Sequence, residues 1–151
     1  MLLVLLGLTT GGWLCAQKAL TVRELNARRG ALDAKAVTIR GILASGHVGP
    51  LLKDDSGQVA ARLRFEALPP SAQREMVTKD DLYRKLFDLA NSIPDPDQPK
   101  ARYEVELVGF VKTLKKASYD VYRESPIEIY PLHVLRVVAI ADRGPAGVKD
   151  P

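Results

Sequence analysis

Two stretches of this chain carry one pattern, Val-x-aliphatic-x-Gly-x-aliphatic: Val37, Ile39, Gly41 and Leu43, then Val105, Leu107, Gly109 and Val111. Apolar residues at every second position have the period of a half-buried strand. A glycine on the apolar face of such a strand marks a bulge or a sharp coil. A chain built around two strands of this kind is therefore steered toward a strongly coiled sheet.

The remaining elements follow from local chemistry. Leu20-Thr21-Val22-Arg23-Glu24-Leu25 predicts a helix start with a Thr21–Glu24 capping box and a Leu20–Leu25 hydrophobic staple. Gly30 is expected to end that helix as a left-handed cap. The first strand, Val37–Leu43, places Thr38, Arg40 and Ile42 on its second face. A loop is predicted over Ser45–Pro50, a short strand over Leu51–Lys53 and a tight turn over Asp54–Gly57, where glycine supplies positive φ. A third strand alternates through Val59, Ala61, Leu63 and Phe65. After Pro69-Pro70, Thr78–Asp81 predicts a second helix with early acidic residues favoured by the helix dipole. Val77 and Leu82 would staple it, and Leu82, Leu86, Leu89 and Ile93 follow helical spacing up to Pro94, Pro96 and Pro99. The fourth strand runs from Tyr103 to Lys112. A long loop is expected over Leu114–Pro131, with local strand at Ile127–Ile129, and a fifth strand over Leu132–Ala141.

The order is helix, three strands, helix, two strands. This predicts a mainly β fold with two helices: a five-stranded Greek-key OB-fold barrel with a helix between strands 3 and 4. In such a barrel the first and fourth strands pair, and a glycine in each eases the coiling that closure requires. The alternative is an unclosed α+β domain with the same elements. The fold is expected to span residues 20–141, with a flexible tail over 142–151.

Val37–Leu43 followed by Leu51-Leu52-Lys53-Asp54-Asp55-Ser56-Gly57 resembles the opening of many bacterial OB-fold domains, in particular the tRNA-anticodon-like OB group. With an apolar leader in front, the chain also looks like the periplasmic bacterial OB-fold family. It departs from the compact members of that family through the longer stretch Leu68–Lys100 and the segment Leu114–Pro131. The resemblance implies a non-catalytic binding module and carries over no functional residue.

Residues 1–16 read as a different polymer. No charge occurs before Lys18, and Leu2, Leu3, Val4, Leu5, Leu6 and Leu8 form a short apolar run. The run is too short and too diluted by glycine and threonine for a membrane span, which needs ~20 apolar residues. It predicts a secretory signal peptide cut near Ala16, although no Lys or Arg precedes it. Two alternatives stay open: lipidation at Cys15, which the bulky Trp13-Leu14 before it disfavours, and a buried N-terminal helix. Export to the periplasm or the medium is the expectation, with no transmembrane anchor. The single cysteine rules out an internal disulfide.

The chain carries 22 Lys+Arg against 18 Asp+Glu, a formal charge of +4, which is compatible with anionic partners but too small to identify one. OB-folds bind ligands on strands two and three and through the loops after strands one and four. Here those regions are Leu51–Phe65, Ser45–Pro50 and Leu114–Pro131. Arg40, Arg62 and Arg64 alternate with core residues, and adjacent strands would gather them into a basic patch suited to phosphate or carboxylate. Lys115, Lys116, Tyr119, Tyr122 and Arg123, after Lys112, interleave charge with aromatic rings that stack on bases or sugars. In each case the competing reading is an ordinary polar face or a solvated loop.

No catalytic constellation stands out. His47 and His133 are the only histidines and cannot supply a zinc site alone. Asp54 and Asp55 read as turn residues. Ser45 and Ser118 lack a nucleophile elbow, and Glu104 and Glu106 read as solvent-facing charge. The expectation is a non-enzymatic, exported binding or scaffold module without cofactor or metal. Its partner would be an anionic or polymeric ligand: an oligosaccharide, an envelope component or a protein. Nucleic acid is the alternative, and export argues against it.

Overall fold

The computed structural model describes residues 18–46, 49–92, 101–114 and 126–140. The signal-peptide reading with Cys15, His47, the proline-rich stretch after Ile93, Lys115, Lys116, Tyr119, Tyr122, Arg123 and the 142–151 tail lie outside these residues.

Among the described residues, six strands and three α-helices follow in the order β1 (Leu20–Thr21), α1 (Val22–Ala27), α2 (Arg29–Leu32), β2 (Ala36–Gly46), β3 (Gly49–Lys53), β4 (Ala60–Leu63), α3 (Asp81–Asn91), β5 (Arg102–Thr113) and β6 (Ile127–Ile140). A 3-10 turn at Pro70–Ala72 lies between β4 and α3. The strands are ordered β2-β3-β4-β6-β5, and β5 pairs back onto β2, so five strands close a barrel and β1 is an extra parallel strand beside β2. Pairing is antiparallel except between β1 and β2 and between β4 and β6. The architecture is an OB-fold-like barrel, and α3 occupies the expected place between its third and fourth strands.

Closure depends on the two glycine-bearing strands. Val37 pairs with Gly109, Ile39 with Leu107, and Gly41 with Val105, so each motif lies antiparallel on the other. β2 is shared: residues 36–43 pair with β5, and residues 42–46 pair with β3. Gly41 stands where the strand passes from one partner to the other. It marks a close approach and not a bulge, because a Cβ there would lie 2.8 Å from Val22 Cγ2 and 3.0 Å from the Lys53 carbonyl oxygen.

The barrel interior holds Ile39, Leu52, Leu63, Val105, Leu107, Val111, Ile127, Ile129, Val134 and Val137, with Val22 and Leu25 of α1 and Tyr83 and Leu86 of α3 packed into the same cluster. The capping box forms as expected: the Glu24 N–H donates to Thr21 Oγ1 (3.2 Å), and the Thr21 N–H donates to Glu24 Oε2 (2.8 Å). Asp80 caps α3 by accepting from the Tyr83 N–H at 2.9 Å. The most buried face of α3 is Tyr83, Leu86 and Ala90; Leu82 and Leu89 are only half-buried.

Several sequence expectations need correction. Gly30 is not a left-handed cap. It lies within α2, which continues for one more turn and buries Leu32, while Ala34 carries the positive φ of 57°. Backbone bonds from Ala34 N to Val111 O and from Val111 N to Lys35 O hold that segment against β5. Ser45–Pro50 is not an open loop, because pairing extends through Ser45↔Pro50 to Gly46↔Gly49. The fifth barrel strand starts at Ile127, so Pro131 lies inside it and not in the preceding loop. Proline is tolerated there because β6 is bulged and need not supply every ladder donor. The register with β5 shifts twice, leaving Leu132 and Leu135 as extra residues and re-phasing Val134 and Val137 toward the core.

A second, smaller apolar cluster lies on the outer face. Phe110, Tyr130 and Leu132 pack with Ala72, half-buried Leu68 and Val77 of the segment between β4 and α3. The Thr78 N–H anchors that segment on the Leu132 carbonyl at 2.7 Å.

Candidate ligand-binding site

Strand register arranges the candidate cations. Arg62 of β4 pairs with Glu128 of β6, and Glu128 pairs in turn with Lys112 of β5, so one cross-strand row on the outer face reads Arg62, Glu128, Lys112. Alternation produces this row: Ile127 and Ile129 point into the core, which sends Glu128 and Tyr130 outward. Arg64 follows β4, and its N–H is fixed on the Ile129 carbonyl at 2.9 Å.

Glu128 is the centre of the group. Its side chain is 10% exposed, with Arg64 Nε 3.7 Å from Oε1 and Lys112 Nζ 4.0 Å from Oε2. The Tyr130 hydroxyl donates to Oε2 at 3.1 Å. Burial raises the Tyr130 pKa, and the neighbouring Glu128 charge and hydrogen bond raise it further, outweighing the opposite pull of the Arg64 guanidinium, which also meets the hydroxyl, so Tyr130 remains a neutral donor. Arg64 Nη2 meets Glu66 Oε2 at 2.6 Å. Arg64 Nε, although buried, has no hydrogen-bond partner. Arg64 and Lys112 thus meet Glu128, Arg64 also meets Glu66, and the strand register sets Arg62 next to Glu128. The group stands at the root of the β5–β6 connection, beside the strand and loop regions where OB-folds take ligands.

Arg40 does not join Arg62 and Arg64. The β2–β3–β4 register aligns Arg62 with Leu51 and Ala44, four residues along β2 from Arg40. That separation is ~13 Å along a strand. Arg40 instead pairs across to Glu106, and Glu106 to Arg136. Arg136 Nη1 also meets Glu104 Oε1 at 3.0 Å, so Glu104 and Glu106 belong to a mixed-charge face and do not simply point to solvent. Arg40 borders a cleft of about 160 Å³ there, with Lys53, Asp54, Asp55 and Glu104.

Asp54 organises its turn as expected: its carboxylate accepts from the Val59 N–H, the Ser56 hydroxyl and the Arg23 guanidinium. His133 is in mid-strand, with Nε2 3.6 Å from Asp80 Oδ2 at the N-cap of α3. Among the described residues, no three His, Cys, Asp or Glu side chains gather into a metal-binding group.

Sequence reasoning missed Glu128, Tyr130 and Glu66. The alternation Ile127-Glu128-Ile129-Tyr130 was the available signal for the first two, because it places a carboxylate and a phenol on one strand face. Glu66 lies beyond β4 and carried no pattern.

Fold and site together define a class: an OB-fold-like barrel with a basic cluster on the outer face of β4, β6 and β5. No family model, no curated protein and no solved structure matches this chain.

Proposed function

We propose that this chain is a non-catalytic, exported binding module that takes an anionic, polymeric ligand, foremost an acidic oligosaccharide or other envelope polymer. The observation that carries this reading is the placement of Arg62, Arg64 and Lys112 around one buried carboxylate, Glu128, at the root of the β5–β6 connection. Glu128 holds Arg64 and Lys112 close together, and positive charge gathered on one face attracts an anionic ligand. Lys115, Lys116, Tyr119, Tyr122 and Arg123 follow Lys112 in the chain and would extend the contact by charge and stacking.

Binding of the purified protein to an acidic oligosaccharide and to a short oligothymidylate, measured across salt, tests this reading. Lys112→Gln should weaken binding of the true ligand about tenfold, the scale of one charge-assisted contact. Three cations on a single strand of nucleic acid predict a log–log salt slope of about −2. Tight oligothymidylate binding with that slope, and none to the oligosaccharide, would replace the envelope reading with nucleic acid. Binding to neither, with Lys112→Gln silent, would sink the proposal.

Export rests on the uncharged apolar run at residues 2–8 and the small residues that follow. The intact mass of the protein recovered from its native host should show a chain shortened by the first sixteen residues or so. A cytosolic protein that retains Met1 would overturn export while leaving the binding reading intact.

A further inference from the structure

Within this site, the donors of Arg64 are unevenly used. The Nε and Nη2 hydrogens of a guanidinium lie parallel along one edge and match two oxygens of a single carboxylate, phosphate or sulfate group. In Arg64 that edge is divided. Nη2 is held by Glu66 Oε2 at 2.6 Å, whereas Nε faces Glu128 Oε1 at 3.7 Å and makes no hydrogen bond. An unpaired buried N–H is costly, so an arrangement that gives both donors acceptors on one group is favoured over this one.

The two carboxylates differ in freedom. Glu128 is held by Tyr130 and lies beneath the cluster. The Glu66 side chain is 66% exposed, meets Arg64 alone among the described residues, and sits just beyond the end of β4. It can swing into water with little loss, because exposed ion pairs contribute little. Arg64 itself is 22% exposed and can turn its edge outward once Nη2 is released.

We infer that Glu66 is an internal stand-in for the ligand, holding Arg64 in the free protein and leaving when a ligand oxyanion takes the Nε/Nη2 edge. The inference rests on the anionic-ligand reading above and adds a regulatory element to it. Ligand binding is a displacement, and the chain's own carboxylate sets its threshold. The ligand chemistry is narrowed to a group that presents two oxygens to one guanidinium.

The test uses the full chain, with Lys112→Gln, Arg64→Ala alone and combined with Glu66→Gln, Glu66→Gln itself, and Glu75→Gln. Glu75→Gln makes the same charge change as Glu66→Gln elsewhere on the segment after β4. Probes are a polyuronate, a sulfated oligosaccharide and oligothymidylate, which separate carboxylate, sulfate and phosphate sources. Glu66→Gln should bind the preferred probe roughly threefold to tenfold more tightly. Glu75→Gln should match wild type, and Arg64→Ala should lose the gain when combined with Glu66→Gln. The side-chain Nε–H resonance of Arg64 should shift on adding the probe. If Glu66→Gln and Glu75→Gln tighten binding equally, the effect is general charge and the stand-in role falls. If wild type binds and Lys112→Gln weakens it but Glu66→Gln changes nothing, the anionic-ligand reading stands and this inference is overturned. If neither wild type nor Glu66→Gln binds any probe, both are overturned.

Discussion

Replacing Gly41 with alanine is expected to destabilise the barrel by ~2–3 kcal/mol, and replacing it with valine by more, enough to prevent folding of a domain of ordinary stability. A Cβ at this position would sit 3.0 Å from the Lys53 carbonyl oxygen and 3.3 Å from Leu52 Cβ, so backbone must move as well as the Val22 side chain at 2.8 Å. Any such movement disturbs the point where β2 passes from β5 to β3 and propagates into closure. Gly109 is a comparable case: a Cβ there would lie 2.5 Å from the γ2 methyl of fully buried Ile129 and 2.9 Å from Leu107 Cδ1. Gly30 provides the control. Nothing lies within 4 Å of its missing Cβ and it sits in α2, so Gly30→Ala should be neutral or stabilising by up to ~1 kcal/mol. Urea denaturation of the three alanine variants should show both Gly41→Ala and Gly109→Ala well below Gly30→Ala in stability. A Gly41→Ala protein as stable as wild type would show that the coil at this corner does not depend on glycine.

Closure was legible in the sequence because it is written in local pattern. The two Val-x-aliphatic-x-Gly motifs carry alternation and glycine together, and the structure pairs Val37, Ile39 and Gly41 with Gly109, Leu107 and Val105. The capping box was legible for the same reason: both of its partners lie within four residues. The site was only partly legible. Arg62 on β4 and Arg64 just beyond it could be marked as outward-facing, but which cations meet depends on register, and register is a property of pairs of strands. That is why Arg40, on the same nominal face, ends beside Glu106 and away from Arg62. β6 was cut short for a related reason. Pro131 reads as a loop residue, and two bulges break the alternation that would have extended the strand back to Ile127. Glu128 was lost with that segment, and with it the centre of the cluster.

Asp54 should prove the costliest polar side chain to remove near the β3–β4 turn, with Asp54→Ala destabilising by about 2–3 kcal/mol. Its carboxylate ties three elements: Arg23 of α1 at 2.6 Å, the Ser56 hydroxyl in the turn at 2.7 Å and the Val59 N–H before β4 at 3.0 Å. Burial by itself would raise the carboxyl's pKa. The bonds from Val59, Ser56 and Arg23, together with the Arg23 charge, outweigh burial and hold it at about 2, below the ordinary 3.8. A depressed carboxyl stabilises the fold fully above its unfolded value and loses that contribution as pH falls through its folded value. The window is therefore between about pH 4 and about pH 2, and the amount is about 2 kcal/mol once the exposure of Arg23 is allowed for. Other carboxylates titrate over the same range, so the useful quantity is the difference between wild type and Asp54→Asn. That variant keeps the side chain's shape and an oxygen acceptor for Val59 while removing the charge. Urea denaturation should show a gap of about 2 kcal/mol near pH 6 that narrows toward zero near pH 2. A gap that stays constant across this range would mean that hydrogen-bond geometry alone, and not the ionised carboxylate, joins α1 to the hairpin.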